Sequence, residues 1–544
     1  MIRDSGATRS PWMTMPPSPS LPRIDRDQRA SVCVIGAGMA GLSTAYFLTR
    51  EGTEVIVVDD GPVAGGETSR TTAHLTCVLD DRFHWIEHVH GAKGLSLATE
   101  SHAAAIDAVE SVVKEEKIDC DFARLDGYLF APPGDSPDEL TREYEAARRA
   151  GLSAVEWVDG APLEDFQTGR CLRFPDQAQF HPLRYLAGLV EAIRSRGGRI
   201  HRDTHVVRID EGHPIRIHTR EGFTITADHV VVATNAPVYT RFKIHTKQAP
   251  YRTYVVGMRV DEAAAVHALY YDTMRPYHYA RLHRLRADDG GGELLIVGGE
   301  DHKTGQRDDA EERWERLVSW SRTRFPSARE VLYRWSGQVL ETVDGLAYIG
   351  RDREGVTLAT GDSGMGMTHG TIAGMLLTDL ILGRPNRWAP LYDPDRKSLR
   401  TAGTFAKENW NVATQYADYL SGGDVPSLNE VPLGSGAVLR EGLKKFAVYR
   451  DREGALHARS AVCPHLGCIV AWNSAERTWD CPCHGSRFDR YGRVIAGPAI
   501  TDLEPVDLPS GIEESSTATP TPTDERRRRT DVDRGFGGEL PAVS

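Results

Sequence analysis

Two short segments in the last fifth of the chain each bring a cysteine and a histidine close together. The first reads C-P-H-L-G-C from Cys463, the second reads C-P-C-H-G-S from Cys481, and fifteen residues separate His465 from Cys481. Each segment can offer one thiolate and one imidazole, the latter from His465 or His484. Two cysteines can hold one iron of a binuclear cluster and two histidines the other. Because imidazole is neutral where thiolate is negative, such a cluster accepts an electron readily.

A zinc site is the alternative for the same residues, since four cysteines and two histidines could also bind Zn²⁺ tetrahedrally. A zinc site has no need of the Gly485-Ser486 pair after the last histidine, nor of the later Gly497-Pro498-Ala499. These additional residues favour the iron–sulfur cluster.

From about residue 431 to residue 508 the chain resembles the Rieske [2Fe–2S] family through these motifs. The resemblance implies that two cysteines bind one iron and two histidines the other, and the implied ligands are Cys463, Cys481, His465 and His484. It also implies that the remaining pair, Cys468 and Cys483, forms a disulfide that braces the two loops, although disulfides are rare in the cytosol.

Two further positions of this resemblance concern the redox potential. Ser486 matches a serine that donates a hydrogen bond to a bridging sulfide in high-potential members. Phe488 stands where those members carry a tyrosine, so one hydrogen-bond donor to the cluster is missing. We therefore expect a potential below that of the high-potential respiratory proteins and above that of oxygenase-type Rieske centres.

A glycine-rich turn near the start of the chain predicts a nucleotide-binding βαβ unit. An apolar strand at residues 32–35 leads into a G-x-G-x-x-G spacing formed by Gly36, Gly38 and Gly41, and a helix follows. These glycines permit the tight turn, the approach of the backbone to a pyrophosphate and close helix packing, respectively. The phosphates would meet free N–H groups at the helix N-terminus. Asp59, after the second strand, is placed to accept hydrogen bonds from ribose hydroxyls.

Later segments resemble the glycine-oxidase and amino-acid-oxidase-like family of FAD enzymes over residues 31–385. The matching segments are Gly65–His74, Thr204–Ile209, Ala233–Pro237, the W-x-G, T-x-D-G and I-G signature of residues 335–350, and the glycine-rich turn Gly361–Gly370. Backbone N–H groups of that turn are expected to stabilise the negative charge of a reduced flavin. The residues implied to bind FAD are Gly36, Gly38, Met39, Ala40, Gly41, Asp59, Asp60, Arg70, Thr71, Thr72, Val206, Ala233, Thr234, Gly361, Asp362, Gly364, Gly366, Met367 and Thr368.

His74 resembles, in position, the histidine that carries covalent flavin in dimethylglycine-dehydrogenase-like relatives. The tryptophan that precedes that histidine is missing here, where Ala73 stands instead. This departure favours a flavin that is bound without a covalent link.

The substrate pocket is predicted from residue types, without a motif of its own. Relatives in the FAD family oxidise C–N bonds of amines and amino acids. The pocket candidates are Arg252, Tyr277, His278, Tyr279 and Arg281, because arginine can clamp a carboxylate and aromatic rings can surround an amine. A second loop of similar texture is Gly298–His302. The alternative is that the tyrosines are ordinary strand residues and Arg281 forms a surface ion pair.

The predicted fold is an α/β Rossmann-like FAD-binding domain with an interleaved α+β substrate domain, followed by a small all-β Rieske domain. The chain of 544 residues divides into a disordered segment 1–28, the FAD-dependent oxidoreductase 29–390, a helical linker 391–428, the Rieske domain 429–510 and a disordered tail 511–544. The two domains together resemble bacterial fusions of such an oxidoreductase to a Rieske domain.

Charge and hydropathy exclude some classes of partner. The formal net charge is −12, which argues against nucleic acid as the main partner, and the basic run 526–529 lies in a Ser/Thr/Pro-rich tail. The apolar stretch 32–48 is interrupted by glycines and is too short for a membrane span, and no secretory signal is visible. We expect a cytoplasmic protein without a transmembrane segment, with peripheral membrane association left open.

The main functional hypothesis is a dehydrogenase of a small amine or amino acid that passes electrons from FAD to the [2Fe–2S] cluster and on to an unidentified external acceptor. A flavin can release two electrons one at a time, whereas the cluster takes only one, and a plain oxidase would not need the cluster. The alternatives are a flavin oxidase with the Rieske domain as redox sensor or structural module, a Rieske-to-flavin reductase, and a non-enzymatic electron-transfer protein.

Overall fold

The computed structural model describes residues 6–14, 21–132, 134–163, 166–239, 242–261, 266–287, 290–397, 399–419 and 421–507. The predicted disordered tail 511–544 lies outside the described residues.

The strands in chain order are β1 (Gln28–Ile35), β2 (Val55–Val58), β3 (His74–Leu75), β4 (Ala123–Phe130), β5 (Glu156–Val158), β6 (Cys171–Gln179), β7 (Arg199–His201), β8 (Val206–Asp210), β9 (Ile215–Thr219), β10 (Thr224–Val232), β11 (Gln248–Val260), β12 (Leu269–Asp272), β13 (His278–Leu285), β14 (Gly292–Lys303), β15 (Val331–Thr342), β16 (Tyr348–Arg353), β17 (Val356–Thr360), β18 (Ser435–Glu441), β19 (Lys444–Arg450), β20 (Leu456–Ser460), β21 (Ala471–Asn473), β22 (Thr478–Asp480), β23 (Arg487–Asp489) and β24 (Val494–Ala496). The α-helices are α1 (Met39–Arg50), α2 (Phe83–Glu115), α3 (Asp138–Arg149), α4 (Pro182–Ser195), α5 (Ala310–Arg324), α6 (Gly366–Ile381), α7 (Ala389–Tyr392) and α8 (Ala402–Gln415).

The first sheet has the strand order β16-β17-β10-β1-β2-β7, with β8 and β9 attached beside β10. Strands β17, β10, β1, β2 and β7 run parallel. The last four residues of β1 and all of β2 are buried, as expected for parallel strands covered on both faces by helices. The glycine-rich turn joins β1 to α1, so the predicted Rossmann-like βαβ unit is confirmed.

The second sheet has the order β15-β11-β14-β13-β12-β4-β6-β3, with β5 beside β6. Its strands come from the chain between β2 and β16 of the first sheet, which makes the two units interleaved. Helix α5 covers one face of it, where Trp314, Leu317 and Trp320 pack with residues of β11–β14. This interleaved unit corresponds to the α+β domain that was predicted to bind the substrate.

Two small antiparallel sheets form the last described unit. Strands β18-β19-β20 make one and β21-β22-β23-β24 make the other. The two cysteine–histidine segments occupy the connections that precede β21 and β23. The predicted all-β domain is confirmed. Before it, α8 and short 3₁₀ turns occupy the predicted helical linker, and no residue of α8 is buried.

The predicted disorder of residues 1–28 is wrong for its described parts. Residues 11–14 form a 3₁₀ helix, and residues from Gln28 onward belong to β1. Trp12 is fully buried and donates from Nε1 to the carbonyl of Thr71 at 2.6 Å. Local composition suggested disorder because the partners that order this segment lie far away in the sequence.

None of the described helices combines the length and apolar character needed to cross a bilayer.

Candidate functional site

A cavity of about 340 Å³ lies where the carboxyl ends of β1 and β10 meet the N-termini of α1 and α6. Residues of the two glycine-rich turns form this part of its wall. Free N–H groups and the helix dipoles favour anions at such a position. The predicted cofactor residues that line the cavity are Gly36, Gly38, Met39, Ala40, Asp59, Asp60, Arg70, Thr71, Thr72, Val206, Ala233, Thr234, Gly361, Asp362, Gly364 and Gly366.

Glycine is required at the first of these turns. Gly36 has a φ of +104°, and a Cβ there would lie 2.3 Å from the carbonyl oxygen of Ala233. A Cβ on Gly41 would lie 1.9 Å from the carbonyl oxygen of Gly36. The turn therefore presents bare backbone to the cavity, as a diphosphate cradle requires.

Three of the predicted cofactor residues do not line the cavity. Gly41 packs helix α1 against the turn instead. Met367 is buried in the hydrophobic core beneath the first sheet. Thr368 Oγ1 bonds to Nδ1 of His102 at 2.8 Å and to the carbonyl of Met365. The side chains of Met367 and Thr368 fall on the inner face of α6, which a motif match does not distinguish from the face toward the ligand.

The acidic pair at the end of β2 has partners of its own. Asp59 Oδ2 accepts from the N–H of Ala37 at 2.7 Å, and Oδ1 accepts from the N–H of Gly61 at 3.0 Å. Burial, and then the charge of Asp60, raise the pKa of Asp59 to about 7. Asp60 lies 3.4 Å from Nδ1 of His205. Both carboxylates line the cavity, and the backbone orients Asp59 for the predicted contact with ribose.

The second sheet supplies the opposite wall. Among the predicted pocket residues, Tyr277 and Tyr279 line the cavity, together with Tyr271 and Asp80. The Tyr277 hydroxyl donates to Asp80 Oδ2 at 3.0 Å. The rings of Tyr277 and Tyr279 stack with centroids 5.7 Å apart. Alternate residues of a strand share a face, which is why both tyrosines reach the cavity.

The other three predicted pocket residues lie elsewhere. His278 is buried on the opposite face of β13, with Nδ1 3.1 Å from Asp272 and Nε2 3.3 Å from Glu300. Arg281 donates to the carbonyl of Thr72 and to Gln179 Oε1, and its guanidinium covers the Trp12 ring. Neither side chain lines the cavity.

Arg252 also lies outside the cavity lining. It belongs to a buried network of charges between the domains. The network contains three arginines and three carboxylates: Arg70, Arg252 and Arg487 with Glu67, Glu476 and Asp480. Arg70 lies 3.0 Å from Glu476, Arg252 lies 3.4 Å from Asp480, and Arg487 lies 3.0 Å from Glu67 and 3.4 Å from Asp480. Because the network contains equal numbers of positive and negative charges, each buried charge is compensated by a partner of opposite sign.

The sequence reasoning missed several wall residues. Asp80, Thr253 and Gln338 line the cavity. Asp80 belongs to no motif. Gln338 directly follows Gly337, the last residue of the W-x-G signature, and this adjacency is the sequence feature that could have identified it as a wall residue. No residue of loop 298–302, which was predicted to be functional, lines the cavity. Asp301 of this loop lies close to Tyr277 and Thr253, which do line it.

The two predicted iron-binding loops have the same backbone arrangement. The N–H of Gly467 donates to the carbonyl of Cys463 at 2.9 Å, and the N–H of Gly485 donates to that of Cys481 at 3.1 Å. Both glycines have positive φ, +83° and +78°, which glycine adopts without steric cost. Each loop therefore turns its cysteine and histidine in the same direction.

The loops carry the donors that a [2Fe–2S] cluster needs. Cys463 and Cys481 are free and buried, and backbone N–H groups two and three residues later point to each sulfur. The His465 and His484 rings lie 5.0 Å apart. Their Nδ1 atoms are buried, and the described residues offer them no hydrogen-bond partner. Two thiolates and two unpaired imidazole nitrogens fit the ligand set of such a cluster.

The second cysteine pair is oxidised. Cys468 and Cys483 form a disulfide that links the two loops. The sulfur of Cys481 lies within 4.8 Å of both, but disulfide sulfurs are not available to iron, so Cys481 remains the thiolate ligand of the second loop. A zinc site of four cysteines is excluded by this pairing.

The Rieske unit forms part of the wall of the cofactor cavity. Gly497 and Ala499, after β24, line the cavity, and the N–H of Ala499 donates to Ser486 Oγ at 3.0 Å. From the other side, Nε2 of Gln338 donates to the carbonyl of Gly485 at 2.9 Å. His245, just before β11, packs edge-on against His465 with ring centroids 4.9 Å apart. A single layer of side chains thus separates the cavity from the cluster loop.

Comparison with known proteins agrees with this arrangement. The FAD dependent oxidoreductase family matches residues 31–380 and the Rieske [2Fe-2S] domain matches residues 424–507. YhfW of Bacillus subtilis (strain 168), which is named as a Rieske 2Fe-2S iron-sulfur protein, is 30% identical over 505 residues, covering 91% of this chain and 97% of YhfW. Gamma-glutamylputrescine oxidoreductase of Escherichia coli (strain K12) is 28% identical over 373 residues, covering 66% of this chain and 84% of that protein.

Among solved structures, glycine oxidase from Geobacillus kaustophilus has a similar fold, with a TM-score of 0.56 and 20% identity over 68% of this chain and 99% of that chain. The first part of the chain binds FAD and the last described unit binds a [2Fe–2S] cluster. The chain belongs to the FAD dependent oxidoreductase family and carries a Rieske [2Fe-2S] domain after the oxidoreductase domain.

Proposed function

We propose that the protein is a dehydrogenase of a small amine or amino acid, and that electrons pass from FAD to the Rieske cluster and then to an external acceptor. Oxidation of an amine to an imine releases two electrons and two protons. The cluster accepts one electron at a time, so each imine requires two passages through the cluster. Bound FAD supplies the two-electron step and can release the electrons singly.

The observation that carries this proposal is the shared wall between the two cofactor sites. Gln338 lines the flavin cavity and bonds to the loop that holds His484, while Gly497 and Ala499 of the Rieske unit line the same cavity. A Rieske unit that served only as a remote sensor would have no need to complete the flavin site. The close packing supports direct electron transfer within the chain.

The surface of the first cluster loop supports an external acceptor. Pro464 and Leu466 are exposed on either side of His465, and Leu466 retains 37% of its accessible surface. A partner that touches this loop would come next to a cluster ligand. The cavity that would hold the flavin, by contrast, is lined by residues of both domains.

The relatives support the substrate class. Gamma-glutamylputrescine oxidoreductase is named for an amine, and the solved structures of similar fold include enzymes named for amino acids. The tyrosine-lined wall beside the two glycine-rich turns offers space for such a small molecule.

Anaerobic stopped-flow spectroscopy tests the proposal. The full-length holoprotein is mixed with a panel of amines and amino acids, and flavin bleaching is followed separately from cluster bleaching. We expect flavin bleaching first and cluster bleaching second, with reoxidation by a one-electron acceptor. In Cys463→Ser, which removes an iron ligand, flavin bleaching should persist while turnover with that acceptor is lost.

Three other outcomes would contradict the proposal. A flavin that is reduced while the cluster stays oxidised indicates a redox sensor or structural module. A chemically reduced cluster that reduces the flavin, with no substrate able to do so, indicates reverse electron flow. Rapid reoxidation by oxygen that does not depend on the cluster indicates an oxidase.

A further inference from the structure

We propose that the substrate is a cationic amine whose reacting carbon carries no carboxylate, and that Asp80 binds its ammonium group. This inference rests on the proposed function and narrows its substrate class. It follows from the charges on the wall opposite the glycine-rich turns.

Asp80 occupies the position between the tyrosine wall and the second glycine-rich turn. Its Oδ2 accepts from the Tyr277 hydroxyl at 3.0 Å. The same oxygen lies only 2.2 Å from the point where a Cβ on Gly364 would be. Because Gly364 belongs to the turn expected to face the flavin pyrimidine edge, Asp80 would lie close to that edge when FAD is bound.

Further carboxylates surround this position. Asp362 lines the cavity, and Asp301 and Glu341 lie close enough to influence Asp80 electrostatically. Asp301 Oδ1 is buried and has no hydrogen-bond partner among the described residues. Burial raises the pKa of Asp301 to about 7 and that of Asp362 to about 6. A bound cation would relieve the mutual repulsion of these groups.

Among the described residues, the cavity lining offers no arginine or lysine to hold a substrate carboxylate beside Asp80, and Arg82, whose charge acts on Asp80, is not part of the lining. Of the described residues that line the cavity, Arg70 is the sole arginine or lysine, and its guanidinium is bound to Glu476. Burial, and then the charge of Arg281, lower the pKa of His74 to about 3, so this imidazole is neutral. Arg252 and Arg281, the predicted carboxylate clamps, point away from the cavity.

An α-amino acid would therefore place its carboxylate among acids without a compensating cation, which is costly in a buried site. An ammonium group would meet Asp80 and the tyrosine side chains. Tyr271, Tyr277 and Tyr279 line the cavity together, and aromatic rings attract cations. The site thus selects for a positive charge and against a negative one.

Binding of a matched pair of compounds to the oxidised holoprotein tests the inference. n-Butylamine and norvaline differ only by the α-carboxylate, and each is titrated anaerobically while the visible flavin bands are recorded. We expect n-butylamine to bind at least about tenfold more tightly, the effect of a charge-assisted hydrogen bond. Norvaline binding as tightly as n-butylamine, or perturbation of the flavin by neither compound, overturns the inference.

Flavin bleaching separates this inference from the proposed function. If norvaline bleaches the flavin as fast as n-butylamine, the proposed function stands and the substrate class is wrong. If n-butylamine binds more tightly but no amine or amino acid in the panel bleaches the flavin, the proposed function fails while the recognition of a cation stands.

Variants assign the role of Asp80. Asp80→Asn should raise the dissociation constant of n-butylamine at least about tenfold, and Asp80→Glu should restore most of the affinity. Asp301→Asn removes a neighbouring carboxylate and should weaken binding in the same direction, which keeps the test open if Asp80→Asn loses its flavin. Asp107→Asn, at a side chain that is 74% exposed on α2, removes the same charge and serves as control. Unchanged affinity in both Asp80→Asn and Asp301→Asn overturns the assignment.

Discussion

The side-chain amide of Gln338 donates to the carbonyl oxygen of Gly485 at 2.9 Å, and this bond joins the wall of the flavin cavity to the loop that carries His484. The two residues are 147 positions apart in the sequence. Gln338 follows the last glycine of a flavoprotein signature, and Gly485 follows a predicted iron ligand. Their contact brings the two cofactor sites into one assembly.

Gln338→Leu keeps the size of the side chain but removes the donor. The buried carbonyl of Gly485 then lacks a partner, which costs about 1–3 kcal/mol. We expect guanidinium unfolding to show this loss, and stopped-flow traces to show slower cluster reduction after flavin reduction. A variant of unchanged stability and unchanged cluster reduction would contradict the role of this contact. Gln306→Leu, at a glutamine that bonds Asn411 instead, is the matched control.

Glu476→Gln removes one carboxylate from the buried network and leaves an excess positive charge among Arg70, Arg252 and Arg487. Breaking a buried ion pair from one side costs about 3–5 kcal/mol. We expect the unfolding midpoint to fall accordingly, with limited proteolysis between the domains becoming faster. Glu441→Gln, at an exposed end of β18, should change neither quantity.

The acid dependence of stability follows from the same residue. Burial alone would raise the pKa of Glu476, but the charges of Arg70, Arg252 and Arg487 outweigh it and hold the pKa at about 2. Since the unfolded value is about 4.3, this carboxylate contributes stability that is complete above pH ~4.3 and is lost as the pH falls to about 2. Unfolding curves across this range should be flatter for Glu476→Gln than for the native chain. Parallel curves would refute the assignment.

Phe488→Tyr should raise the reduction potential of the cluster. Phe488 is fully buried and lies opposite Trp479 in the neighbouring strand, at the position where the resemblance to high-potential Rieske proteins implies a tyrosine donor. Donors to the cluster stabilise its reduced, more negative form. Ser486→Ala should shift the potential the other way. Protein-film voltammetry measures both shifts, and a native potential in the range of oxygenase-type centres would contradict the expected intermediate value.

His74 should not carry a covalent flavin. Its Nδ1 lies 3.1 Å from Thr72 Oγ1 and its Nε2 lies 3.3 Å from the carbonyl of Ala280, so both ring nitrogens are engaged. We expect denatured protein to release free FAD and to leave a non-fluorescent band on a denaturing gel. A fluorescent band that persists after denaturation would show the opposite.

The sequence alone was sufficient where the functional atoms lie within one short segment. The G-x-G-x-x-G turn determines its own backbone conformation, so the positions of Gly36 and Gly38 in the cavity wall were predictable from the motif. The C-x-H and C-x-x-H loops each hold their donors within four positions. The main elements followed as well, because apolar runs and helical spacing are local properties of the chain.

Only the tertiary structure decided which buried charges belong together. Arg252 was predicted to bind a substrate carboxylate, yet its guanidinium donates to Asp480, which lies 228 positions away in the sequence. Trp12 was placed in a disordered segment, yet it is buried against Arg281 and Thr71. The acidic Asp80 carried no motif at all. Contacts of this kind depend on which strands become neighbours when the sheets assemble, and spacing along the chain contains no record of that choice.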